Sequence, residues 1–338
     1  MVHLRIIAPT GSAEPALALL RASPPVCNVI HLPGSAHEPD GDVIMCDVAR
    51  HEVSVIIEDL RELRVPEEGS IAVEMTDTNI SAAADFAQQA ADKLPFGDAV
   101  VWEDVEARTS EETRLSINFL EFMMIATLIG AVGILLDSPI LIVGAMVVGP
   151  EFGPIAAFCV AVVQRRPDLA RRSATALLVG FPVAIAVAFV WSLVFRHTGL
   201  ADGPGDVHPF TQFISDPDFF SFFIAYLAGT AGVLSLTSAK SGALIGVLIS
   251  VTTIPAAANI GVAAAYEDWS EVAGAATQLG VNLVALVLGG VARLFVQHRV
   301  YTVRRRRHLQ DETRRAAGLP TAGAAANRTG SLNVRELS

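Results

Sequence analysis

Charge is scarce in this chain. Only 17% of its 338 residues are Asp, Glu, Lys or Arg, 52% are hydrophobic, and the mean hydropathy is +0.48. That balance excludes an ordinary soluble protein of this size and calls for membrane spans. Cysteine is scarcer still. Cys27, Cys46 and Cys159 stand without paired spacing, which excludes a disulfide framework. Basic residues are few in the first third. Residues 1–113 hold 21 Asp and Glu against 7 Lys and Arg, a net of −14, and the remainder carries +3. An acidic segment of that kind is a poor nucleic-acid binder, so no nucleic-acid partner is expected. Residues 1–9 lack the basic flank, long apolar core and small-residue cleavage site of a secretory signal. The first domain is therefore expected on the cytosolic side. No nucleotide loop, zinc spacing or nucleophile elbow occurs, so neither an enzyme nor a cofactor is expected.

What is present begins with six short elements before residue 80. Residues 4–8 form an apolar strand ended by Pro9 and Gly11. Residues 14–21 are helical, with Ser12 as a cap. Residues 26–32 and 42–48 read as strands around a loop holding Pro33, Gly34, Pro39 and Gly41. A second helix, 52–63, puts Val53, Ile56, Ile57 and Leu60 on one face, and residues 70–75 close the unit as a strand. The order βαββαβ predicts a small α+β ferredoxin-like domain over 1–80. His31, His37, Cys27 and Cys46 match no metal motif, and no metal site is expected. Residues 81–94 then give an Ala-rich amphipathic helix, which opens a helical linker over 81–115.

Six stretches reach the ~20 apolar residues a span needs: 116–136, 139–163, 173–195, 219–236, 242–265 and 272–296. The transmembrane domain is thus set at 116–298, followed by a basic, disordered cytosolic tail at 299–338. Arg165, Arg166, Arg171 and Arg172 follow the second span, Lys240 the fourth, and Arg299 with the run 304–307 the sixth. The other connections are acidic or neutral. The positive-inside rule then puts both termini in the cytoplasm of a bacterial or archaeal inner membrane, with lipid as a partner and a homo-oligomer expected.

The first and fourth spans align without a gap, Ile125-Ala126-x-Leu128-x-Gly130-x-x-Gly133 matching Ile224-Ala225-x-Leu227-x-Gly229-x-x-Gly232. Residues 144–150 lie opposite 246–252, and the third and sixth spans end alike at His197 and His298. Two halves of three spans each must be inserted in opposite senses, a 3+3 inverted repeat of the kind found in secondary transporters. Helix breakers fall where such a repeat binds its solute. Gly149, Pro150, Gly153 and Pro154 surround Glu151, and Thr252, Thr253, Pro255 and Asn259 occupy the fifth span. Proline removes a backbone donor, so both helices must kink or unwind. A carboxyl near mid-depth is costly and suits proton coupling or cation binding. Glu121 and Asn118 suit the cytoplasmic interface, while Asn259, Gln278 and Asn282 serve either helix packing or a site.

At the residues from Asp137-Ser-Pro-Ile-Leu-Ile-Val-Gly-Ala-Met-Val-Val-Gly-Pro-Glu-Phe-Gly-Pro154, and at Ile254-Pro-Ala-Ala-Ala-Asn-Ile-Gly261 with Asn282, the chain resembles domain-of-unknown-function family 389. The resemblance covers about 116–296 and implies a membrane protein without naming a substrate. That family usually has Ser or Ala before the first proline, where this chain has Gly149. Three functions are open at this stage. The leading one is an ion-coupled carrier of an unknown small solute or ion, with Glu151, Pro150, Pro154, Thr252, Thr253, Pro255, Asn259 and Asn282 as its site. The others are an oligomeric ion channel, and a non-transporting sensor or scaffold that uses the N-terminal domain.

Overall fold

The computed structural model describes residues 1–76, 81–91, 115–201, 218–237 and 252–309, with 102, 105, 113, 214, 314, 318 and 319. It divides into two compact units, residues 1–104 with 297–338, and residues 105–296.

The first unit is built on a four-stranded antiparallel sheet of β1 (Val2–Ala8), β2 (Val26–His37), β3 (Asp40–Val48) and β4 (Ser70–Met75), in the order β2-β3-β1-β4. Helices α1 (Thr10–Ala22), α2 (Val53–Glu62) and the single turn α3 (Val65–Glu68) connect them. Strand β3 lies between β1 and β2, splitting the βαβ unit. Alternation decides which face is covered, since Val2, Leu4, Ile6 and Ala8 are all fully buried on one side of β1. They pack with Leu17, Leu20, Ile44, Val48, Ile56 and Leu60 in one core. Each such aliphatic side chain contributes ~1.5–3 kcal/mol on burial.

Two details differ from the sequence expectation. The hairpin runs on through the segment expected as a loop, because β2 continues to His37 and β3 starts at Asp40. Asp42 supports it, accepting from the backbone N–H of Gly34 (2.9 Å) and pairing with His31 (2.7 Å). Those two contacts hold the Asp42 carboxyl below its usual range. Helix α1 starts at Thr10, and the Ser12 hydroxyl donates to the Pro9 carbonyl instead of capping. Cys46 lies in the core, where burial with nearby Asp47 and Cys27 pushes its thiol up to about 12. Among the described residues no group of three or more His, Cys, Asp or Glu could hold a metal. A further helix, α4 (Ala82–Ala91), follows the sheet.

The second unit is helical: α5 (Ile117–Leu135), α6 (Pro139–Val148), α7 (Phe152–Gln164), α8 (Pro167–Thr198), α9 (Phe219–Thr237), α10 (Thr253–Ala265) and α11 (Trp269–His308), whose last turns belong to the first unit. Four helices, α5, α8, α9 and α11, are long and apolar enough to cross a membrane. Helices α6 and α7 pass that test only together and are bent by 52° at their break, so they count as a fifth broken span or as a re-entrant pair. Six spans would need the stretch 242–265, of which residues 242–251 lie outside the described residues. Helix α10 by itself has 13 residues, about 20 Å at 1.5 Å per residue, short of a ~30 Å hydrocarbon core.

Local chemistry sets the helix ends. Ser116 caps α5, its hydroxyl accepting from the Phe119 N–H at 3.1 Å. Pro139 and Pro167 stand at the starts of α6 and α8, where a missing N–H costs nothing.

The C-terminal segment corrects the sequence expectation. Residues 299–308, expected as the start of a disordered tail, are the last turns of α11. Arg305 and Arg314 both pair with Asp59 and Glu62 of α2, and the His308 ring bonds the Asp59 carboxylate at 2.6 Å. Arg304 donates to the His51 carbonyl at 3.2 Å. Residues 320–338 lie outside the described residues.

Candidate functional site

The break between α6 and α7 is dictated by sequence. Val148 is followed by Gly149 and Pro150, and the new helix begins at Phe152 with Glu151 just before it. Pro154 therefore falls in the first turn of α7, where no intrahelical donor is lost. Pro255 plays the same part in α10, which begins at Thr253. The expected interruption at 150–154 thus becomes one sharp break, followed by a regular helix.

Those two helix starts meet. The Thr253 hydroxyl donates to Glu151 Oε1 at 2.6 Å, joining residues 102 apart in sequence. Gly149 permits the approach. A Cβ at that position would stand 2.6 Å from Ile254 Cγ1 and would also overlap the Glu151 carboxylate. Glu151 is only 5% exposed, and its Oε2 has no hydrogen-bond partner among the described residues.

Thr252 extends the cluster. Its hydroxyl oxygen accepts from Asn282 Nδ2 at 2.9 Å and from Gln278 Nε2 at 3.3 Å, both reaching in from α11. Gln278 and Asn282 are each 2% exposed, and Gln278 Oε1 is a second buried oxygen with no donor. Apolar packing closes the cluster from both sides. Ile254 and Ala257 pack with Phe119, Met123 and Phe181 of α5 and α8, and Phe152 and Ile155 with Ala225, Ala228 and Leu286 of α9 and α11. Backbone N–H groups at two helix starts, hydroxyls, amides and one carboxyl therefore share a dry neighbourhood. Such an arrangement can hold and release a small polar species or an ion.

Of the residues expected at the site, Glu151, Thr252, Thr253 and Asn282 come together, and Pro150, Pro154 and Pro255 shape the breaks. Asn259 does not join them. It lies further along α10, and its side-chain amide donates to Glu271 at 3.0 Å. Gln278, weighed with Asn282 as a packing or site amide but left out of the expected set, belongs to the cluster, one turn before Asn282 on the same helix face. Glu121 and Asn118 are exposed at the start of α5.

A bundle of long apolar helices with one sharply bent helix pair and a buried polar cluster at the bend has the character of an α-helical membrane protein. The domain of unknown function DUF389 matches residues 146–288, a stretch that includes every member of the cluster. An uncharacterized protein of the archaeon Methanocaldococcus jannaschii, MJ0678, is 25% identical over 196 residues. The alignment covers 57% of this chain and 58% of that relative. No solved structure matches the chain.

Proposed function

We propose that the protein is a six-pass secondary transporter or ion-coupled carrier of the cytoplasmic membrane, with both termini cytoplasmic and its site where the second and fifth spans are broken. The observation that carries this reading is the Thr253–Glu151 hydrogen bond between the starts of two short helices. A soluble-type core would not bury a carboxyl with one donor and no cation, whereas discontinuous helices with polar starts at mid-bundle are how secondary transporters build their sites.

An inverted 3+3 repeat is supported by the two short helices themselves. Helices α7 and α10 both have 13 residues, and each carries proline in third place. Each packs into the opposite half. Helix α10 lies against α5 and α8, where Gly261 sits under Ala188 Cβ (2.7 Å from a built Cβ). Helix α7 lies against α9 and α11, where Gly290 sits under Cys159 Sγ (2.8 Å from a built Cβ). Residues 242–251 would complete the fifth span and so the sixth crossing. The basic residues at 165, 166, 171, 172 and 240 support cytoplasmic termini. The exposed apolar side chains Phe219, Phe220, Phe223 and Leu227 of α9 suit lipid or a second copy of the chain.

The test is flux through proteoliposomes across a panel of small charged and neutral solutes, with Glu151→Gln beside the wild type. Saturable counterflow that falls at least about tenfold in Glu151→Gln is the expected result, a loss of ~1.4 kcal/mol or more in transition-state terms. Flux equal to wild type in the variant would sink the role of Glu151. Unitary currents in a planar bilayer would replace the carrier with a channel. Ligand binding without any flux would replace it with a sensor.

A further inference from the structure

We infer that the ion handled at this site is a proton carried by Glu151, and that the use made of Thr252 keeps metal cations out. The inference rests on the carrier reading above and names its coupling ion.

The starting point is charge balance. Among the described residues Glu151 receives one side-chain hydrogen bond, from Thr253, and pairs with no Lys, Arg or His. The helices packed around it offer no counter-charge. Helices α6, α9 and α10 contain no charged residue, and α5 has only the exposed Glu121. The charges of α8, at Asp168, Arg171, Arg172, Arg196 and His197, stand near its two ends. In α11, Glu271 is held by Asn259, and Arg293 stands well beyond Asn282 along the helix. A dry, unpaired carboxylate is expensive, so the site demands a positive partner, which is either a proton or a metal cation.

The ligand inventory decides between them. A hard cation stripped of water needs on the order of six oxygens. The cluster holds the two carboxylate oxygens of Glu151, the hydroxyls of Thr252 and Thr253, and Gln278 Oε1. Thr252 is withdrawn from that set. A hydroxyl oxygen accepts twice, and both places are taken by the amides of Asn282 and Gln278. Helix α6 brings its last carbonyls to the break, but α7 and α10 both turn their N-terminal ends towards Glu151. Those ends present N–H groups and partial positive charge, which repel a cation.

A proton asks for far less. It bonds to Glu151 Oε2 and needs one acceptor for the resulting O–H, and Gln278 Oε1 is the other donorless oxygen of the cluster. On release the O–H bond breaks. The proton passes to water on whichever side the site is open, and the electron pair stays on the carboxylate. The Thr253 hydroxyl hydrogen and the helix N–H groups then face that negative charge. Gln278 is the positioning residue of this pair of states.

The test is infrared difference spectroscopy on the full chain in lipid vesicles, first stepping pH in choline chloride, then replacing choline by Na+ or K+ at fixed pH. The expected result is a carboxylic-acid carbonyl band that disappears as pH rises and ignores Na+ and K+. It shifts with 13C-labelled glutamate and is absent from Glu151→Gln. Isotope labelling assigns the band to glutamate in the wild type, and its survival in Glu52→Gln with its loss in Glu151→Gln assigns it to Glu151. Gln278→Ala is expected to move the band to higher frequency, as a carboxylic acid does on losing an acceptor, and an unmoved band would remove Gln278 from the mechanism. A labelled carboxylate band that responds to Na+ or K+ at fixed pH overturns the inference, as does the lack of any titrating acid band. The spectrum reads the ion without reading solute flux. Failure of the carrier reading therefore shows in proteoliposomes alone, and failure of the proton shows here.

Discussion

The two units each bury a carboxylate, and they treat it in opposite ways. Asp59 of α2 is fully buried but is met by two guanidinium groups and an imidazole, from Arg305, Arg314 and His308. Burial pushes its carboxyl up, but the His308 hydrogen bond and the Arg305 and Arg314 charges outweigh it and hold the group below its usual range. Glu151 is almost as buried and is met by one threonine hydroxyl. A carboxylate surrounded by cations is locked in one charge state and serves structure. One left with an open oxygen has room for a positive partner, which is the basis of the role proposed for it.

Matched substitutions should separate the two. Asp59→Asn keeps the shape but removes the buried charge that Arg305 and Arg314 share, leaving both to the partly exposed Glu62. Thermal or denaturant unfolding of the first unit should lose ~3–5 kcal/mol, the cost of breaking a buried pair from one side. Glu151→Gln in the second unit should lose less than ~1 kcal/mol by the same measurement, since no cation is orphaned. Equal losses at both positions would erase the distinction.

Acid should act on the first unit next. The Asp59 carboxyl is lower in the folded state than in the unfolded chain, so its stabilisation is fully present above the ordinary carboxylate value of about 4. It is lost as pH falls through the lower, folded value. Unfolding followed by tryptophan-independent circular dichroism in strong acid should show this loss in the wild type and not in Asp59→Asn.

The smallest effect belongs to Glu52. Burial raises its carboxyl, with Arg304 and His308 only partly offsetting. A raised acid stabilises below its ordinary value and loses that contribution as pH rises through the folded one. Glu52→Gln should therefore raise neutral-pH stability by up to ~1 kcal/mol and flatten the alkaline side of the profile. A loss of stability at neutral pH would show that Glu52 is needed ionised beside Arg304.

Much of this architecture was legible in the sequence because it follows local rules. The apolar run of residues 4–8, ended by Pro9, and the helical face of Val53, Ile56, Ile57 and Leu60 predicted strand and helix. Long apolar runs predicted α5, α8, α9 and α11, and Gly149-Pro150 predicted the break. The tail misled for a physical reason. Arg304 to Arg307 looks like a topological anchor in sequence, and the acidic partners that order part of it lie some 240 to 255 residues earlier, at Asp59 and Glu62. Asn259 misled similarly, since its amide is claimed by Glu271, which the hydropathy pattern had left in a loop.

By itself, then, the sequence determined where the chain is apolar, where its helices must stop, and that a carboxyl sits at one of those stops. Backbone propensity and hydropathy act over a few residues and leave a readable trace. Tertiary structure alone decided which polar groups share a neighbourhood: that Thr253 reaches Glu151, that Gln278 joins Asn282 on Thr252, and that two guanidinium groups and an imidazole close on Asp59. Hydrogen bonds and ion pairs depend on ångström distances between residues far apart in the chain, and those distances exist only once the helices have packed.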